Sequence, residues 1–91
     1  MPLARKITFK ARLQSSRVMI PELFRWQYKL DSSQVLRVTV NVEGAWIDRE
    51  VFLTRMRKDG RLAIPKIAQS RLKGDAESLE GYDLDVVVEP A

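Results

Sequence analysis

The clearest signal in the chain is alternation. Leu36, Val38, Val40 and Val42 alternate with Arg37, Thr39, Asn41 and Glu43, and Ile7, Phe9, Ala11 and Leu13 alternate with Thr8, Lys10, Arg12 and Gln14. A period of two puts apolar side chains on one face of a strand and polar ones on the other, so both stretches predict half-buried strands. Tyr82, Leu84, Val86 and Val88 repeat the pattern with one lapse, at Val87. Two short apolar runs, Val18-Met19-Ile20 and Leu62-Ala63-Ile64, predict further strands, each stopped by a proline, Pro21 or Pro65. Proline fits the first turn of a helix, where its missing N–H has no partner to lose. Behind the two prolines, Leu23, Phe24 and Tyr28, or Ile67, Ala68 and Leu72, fall at helical spacing and predict two helices of two or three turns. Ser15-Ser16 and Asp59-Gly60 supply turn chemistry. After a turn at Gly44, residues 46–57 are less regular, and Val51-Phe52-Leu53 predict a bulge or a strand buried on both faces.

These elements occur twice. Arg17-Val18-Met19-Ile20-Pro21 recurs as Arg61-Leu62-Ala63-Ile64-Pro65, and Lys29 and Asp31 match Lys73 and Asp75 at the same spacing. Upstream, Phe9, Ala11 and Leu13 align with Phe52, Thr54 and Met56; downstream, Leu36, Val38, Val40 and Val42 align with Tyr82, Leu84, Val86 and Val88. The pattern implies a duplication within a single domain spanning residues 1–91, with repeats at about 5–43 and 46–89. Two ββαβ halves give six strands and two short helices. A lone half would expose its strand edges, so the expected fold is mainly β, a single closed six-stranded barrel.

The string Arg57-Lys58-Asp59-Gly60-Arg61-Leu62-Ala63-Ile64-Pro65-Lys66 resembles the start of an AbrB-type DNA-binding domain, in which a strand, a Gly-Arg turn, a second strand and an Ile-Pro helix start follow in that order. Val18-Met19-Ile20-Pro21 repeats it more faintly. AbrB-type domains belong to the cradle-loop barrels, built from duplicated ββαβ elements, which also include double-psi and RIFT barrels. Two three-stranded halves in one chain are more similar to a monomeric RIFT or double-psi barrel than to a swapped-hairpin dimer. The overall pattern most resembles a small, functionally uncharacterised family of archaeal RIFT-barrel proteins, so the RIFT topology is expected. In AbrB-type domains, basic residues near the Gly-Arg turn and early in the helix grip DNA. The resemblance assigns the turn position to Arg61, with Arg17 in the first half, and one helix position to Arg25; Trp26, Gln69 and Ser70 stand where further helix arginines would be.

Composition narrows the chemistry. The chain has 91 residues, 45% of them apolar, with no histidine and no cysteine. That removes imidazole acid–base catalysis, thiol nucleophiles, disulfides and nearly every zinc or haem site, so no metal and no cofactor is expected. The longest apolar runs are too short for a membrane span or a signal peptide, and a cytoplasmic location without membrane contact is expected. The nearest approach to a paired carboxylate is Asp48 and Glu50 flanking Arg49. An acid–base pair needs an apolar pocket to separate its pKa values, and none is suggested there. A salt-bridged surface strand is expected instead, and no enzyme.

Charge is unevenly distributed. All 16 basic residues lie within residues 1–73, whereas residues 74–91 carry half of the 12 acids and no base. The densest basic run, Arg55, Arg57, Lys58, Arg61 and Lys66, falls on a predicted strand, its turn and a helix start. With Arg12 and Arg17 from the matching region it forms a candidate phosphate-tracking surface, and Arg12, Arg17, Arg25, Arg55, Arg57, Lys58 and Arg61 are the candidate nucleic-acid-binding residues. Trp26, Trp46 and Tyr28, beside Arg25 and Lys29, are of the type that stacks on unpaired bases, but the spacing of Phe24 and Tyr28 predicts core or rim packing for this group. The leading expectation is a small monomer that binds duplex DNA through basic hairpins, with a role in transcriptional regulation. A module for a nucleotide or flavin is one alternative; a protein-interaction module using the acidic tail or a tryptophan is the other.

Overall fold

The structure, a computed structural model, describes residues 5–42 and 49–91. Its elements are β1 (Ile7–Arg12), β2 (Arg17–Met19), α1 (Glu22–Gln27), β3 (Val35–Val42), β4 (Glu50–Arg55), β5 (Arg61–Ala63), α2 (Lys66–Leu72) and β6 (Asp83–Pro90), so the order β-β-α-β runs twice. Alternation decides which faces are buried. Leu36, Val38 and Val40 of β3 and Leu84, Val86 and Val88 of β6 are wholly buried, and Ile7 and Phe9 of β1 join them in one core. Each such aliphatic side chain contributes about 1.5–3 kcal/mol by leaving water. The helices begin directly after Pro21 and Pro65 and run for only six and seven residues. Among the described residues no helix is long and apolar enough to cross a membrane.

The strands do not form the closed six-stranded barrel of RIFT type that the sequence leads one to expect. They divide into an antiparallel four-stranded sheet, in the order β1-β6-β3-β4, and a separate two-stranded ribbon of β2 with β5. The cause lies in the hairpins. The chain reverses at Ser15-Ser16 and again between Arg57 and Arg61, and the strands that follow are three residues long. Those six residues pair with one another, and their buried pair, Val18 and Leu62, packs onto the core. Leu13, Ile20, Ile64 and Leu79 are buried in the same core, and the backbones of three of them hydrogen-bond outside the named strands, Leu13 with Tyr82 and Gly81, Ile20 with Gly60 and Ile64 with Ser16.

Corresponding residues of the two halves meet. Val18 pairs directly with Leu62 and Val40 with Val86, while the Ile20 N–H donates to the Gly60 carbonyl just as the Ile64 N–H donates to that of Ser16. The first strands of each half correspond differently from their sequence alignment. Phe9 lies opposite Val86 and Glu50 lies opposite Val40, so Phe9 corresponds to Glu50 and not to Phe52. Nor is β4 bulged or buried on both faces. Its register runs unbroken from Glu50 to Arg55, with Phe52 half-buried and Val51 and Leu53 exposed at 59% and 62%. Glu50 pairs with Arg71 of α2 at 3.4 Å, not with Arg49. The predicted turn at Gly44, Trp46 and Asp48 lie outside the described residues.

Candidate nucleic-acid interface

Two turns build the basic surface. In the first, Gln14 and Arg17 exchange backbone hydrogen bonds of 2.9 and 3.0 Å across Ser15 and Ser16, whose φ angles are +53° and +62°. Positive φ at both central residues matches the right-handed twist of a tight two-residue hairpin. It also turns two successive N–H groups the same way, and both donate to the Glu80 carboxylate, Ser15 to Oε2 and Ser16 to Oε1, each at 2.9 Å. In the second turn, the Arg57 N–H donates to the Arg61 carbonyl at 2.8 Å and the Gly60 N–H to that of Arg57 at 2.9 Å. Gly60 has φ +85° and is buried beneath Arg25: a β-carbon there would collide with the Arg25 guanidinium. Glycine is thus favoured by its backbone conformation, and any side chain there would also displace Arg25.

The β2–β5 ribbon carries the central arginines. With Val18 and Leu62 facing the core, Arg17, Met19 and Arg61 fall on the opposite face, and Arg17, paired with Ala63, lies diagonally across from Arg61. Arg12, Gln14, Ser15, Arg17, Met19 and Arg61 line a recess of about 160 Å³. Arg12 pairs with Asp83 at 3.4 Å and Arg61 with Asp59 at 3.8 Å, both well exposed to solvent. Pairs of that kind hold their partners weakly, so both guanidinium groups remain able to turn to a phosphate. Among the described residues, Arg17 has no acidic partner within ion-pair distance.

Arg57 and Lys58 line a second, more open recess of about 480 Å³ with Asp59 and Ser32. Ser32 is held by its loop: the Ser33 hydroxyl and then its N–H donate to Asp31, and these bonds hold the Asp31 carboxyl below the usual aspartate range. Behind the second turn, Arg25 has its Nε buried with no hydrogen-bond partner, which makes it a packing residue as much as a charge. Arg55 lines neither recess. It lies opposite Val35 on the outer face of the sheet, near Arg37, which is opposite Leu53. Lys66 lines a third recess, with Ser16, Gln69, Ser70 and Lys73 among its neighbours.

Sequence reasoning thus names the arginines as candidates but not their surroundings. Gln14, Ser15, Met19 and Ser32 carry no pattern that marks them as lining a basic recess, and they reach the recesses through turn geometry and strand pairing. Phe24 and Tyr28 pack as their spacing predicts, with ring centroids 6.1 Å apart for Phe9–Phe24 and 6.3 Å for Phe24–Tyr28. Trp26 does not pack; it is 71% exposed.

The fold defines a mainly β chain with two short helices and strands interleaved between its halves. A similar fold is found in the solution structure of PHS018 from Pyrococcus horikoshii, which matches with a TM-score of 0.72 over 99% of this chain and 94% of that one. At 18% sequence identity this likeness is one of fold alone. No family model and no curated protein matches the chain.

Proposed function

We propose that this protein binds nucleic acid, duplex DNA among its ligands, by tracking phosphates along the β2–β5 ribbon and the adjoining Arg57–Arg61 turn. The observation that carries the reading is the convergence on one recess of Arg12 and Arg17, which flank one turn, with Arg61 from the other half of the chain, Arg17 being unclaimed by any described acid. The resemblance of the Gly60-Arg61 turn to that of AbrB-type domains supports the same assignment, as does the confinement of all basic residues to positions 1–73. The protein acts as a monomer in the cytoplasm and has no catalytic role; transcriptional regulation is the setting that fits.

Such contacts release counterions and do not read base edges, so affinity is on the order of micromolar at low salt and falls steeply as salt rises. Fluorescence anisotropy across a salt series tests this. Arg57→Glu with Arg61→Glu removes most of the binding. Arg37→Glu with Arg55→Glu makes the same change in net charge on the outer sheet face and costs much less. Equal losses in the two double variants, or no binding at low salt, would overturn the reading.

A further inference from the structure

Trp26 is the residue that the phosphate-binding surface does not account for. A single exposed tryptophan needs no special explanation, but the placement of this one is constrained. Helix α1 buries none of its residues; Phe24 fastens it to Phe9, and Arg25 fastens it to the second basic turn by lying across Gly60. Since Arg25 Cδ would be 2.8 Å from a β-carbon on Gly60, the Trp26 backbone sits no more than roughly 12 Å from that turn, given 3.8 Å between successive Cα atoms. The indole is 71% exposed, and Leu23, one helical turn before it, is 67% exposed. The turn that Arg25 crosses carries Arg57 and Lys58, for which no described acid lies within ion-pair distance, and Arg61, whose described acidic partner is Asp59.

We infer that Trp26 is a base-stacking platform and that the surface prefers unpaired nucleic acid strands over duplex. The inference rests on the phosphate-binding reading and adds the chemical class of the preferred ligand. Every nucleobase has a π-face, and an indole beside cationic side chains receives it without regard to sequence. In a duplex those faces are covered by neighbouring base pairs, and only phosphates and groove edges are offered. In a single strand the phosphates engage Arg57, Lys58 and Arg61 while a base turns onto Trp26. The charge of the surface selects a polyanion as the occupant of this apolar step over an apolar protein groove.

The test uses the whole chain and three fluorescent oligonucleotides of equal length: a single strand, its duplex, and an abasic strand that keeps the phosphates and lacks the bases. Stacking is worth about 1–3 kcal/mol per base, so the protein binds the single strand at least about fivefold more tightly than the abasic strand. Trp26→Ala removes that difference and leaves binding to the abasic strand and the duplex within about twofold; Trp26→Phe keeps part of the advantage. Equal binding of the base-bearing and abasic strands overturns the stacking role while leaving phosphate binding intact. A uniform loss on all three ligands in Trp26→Ala also overturns it, since the indole would then act through the fold. Failure to bind any of the three removes the phosphate reading and the stacking role together.

Discussion

At the scale of single residues, the contact between Arg25 and Gly60 joins a helix to a turn at a point where a side chain would have to displace the arginine. Gly60→Ala forces a β-carbon into left-handed backbone, at about 1–2 kcal/mol, and displaces the Arg25 guanidinium as well. The two costs are separable. In an Arg25→Ala background only the backbone cost remains, so a double-mutant cycle followed by urea unfolding shows a positive coupling between the sites. If Gly60→Ala costs the same in both backgrounds, Arg25 does not rest on the turn in solution. This is also the scale at which the sequence is least informative. Helical spacing identifies Phe24 and Tyr28 as packing residues, but it assigns Trp26 to the same group, and only the way Arg25 and Phe24 pin α1 leaves the indole outside. The seven basic candidates are legible because charge is a property of residue type. That Arg12 meets Arg17 and Arg61 while Arg55 faces the other way depends on strand register, which residue type does not encode.

At the scale of elements, the pair of eight-residue strands β3 and β6 forms the spine of the structure. Val40 and Val86 face each other there with no exposure. Val40→Asp places an unpaired carboxylate in that contact, at a cost of several kcal/mol, which is a large part of the 5–15 kcal/mol typical of a whole domain. Circular dichroism and thermal melting should show an unfolded or barely folded chain; a variant with native melting would mean that β3 does not face the core as described. The same change at Val51, 59% exposed on the outer face of β4, should leave melting within a few degrees of the parent. Both long strands are legible because each buries one face and so alternates, β3 strictly and β6 with its one lapse at Val87. Strand β4 is not, because Val51 and Leu53 are apolar yet exposed, and their run with Phe52 imitates a strand buried on both faces. The same apolar run draws Phe52 into alignment with Phe9, when in the sheet it is Glu50, anchored by Arg71, that stands in the corresponding place.

At the scale of the whole molecule, six strands and two helices in a repeated order are legible from alternation and from the two Ile-Pro steps, but the way the strands partner one another is not. Periodicity states which face of a strand is apolar and is silent on its neighbours. A closed ring satisfies the same pattern as a four-stranded sheet with a separate ribbon, and the choice falls to two tight turns and two strands of three residues. The sheet order has a further consequence for how the chain comes to be folded. Strand β6, which follows the other described elements along the chain, lies between β1 and β3, which make no ladder with each other. Until residues 83–90 have been made, the earlier strands have no shared partner, and the apolar faces around Phe9 and Val38 must wait without one. Order of synthesis and order of assembly are therefore opposed, and sheet formation waits on contacts that are long-range in sequence, the kind that form slowly. In pulsed hydrogen exchange during refolding, amides of β1, β3 and β6 should gain protection in one common phase; early protection of β1 alone would contradict this. For a ribosome-bound chain the same geometry means a period of exposure for the most apolar strands, ended by its most acidic stretch. That stretch, residues 74–91, carries six carboxylates and no cation, and so reaches the waiting basic chain as its electrostatic complement.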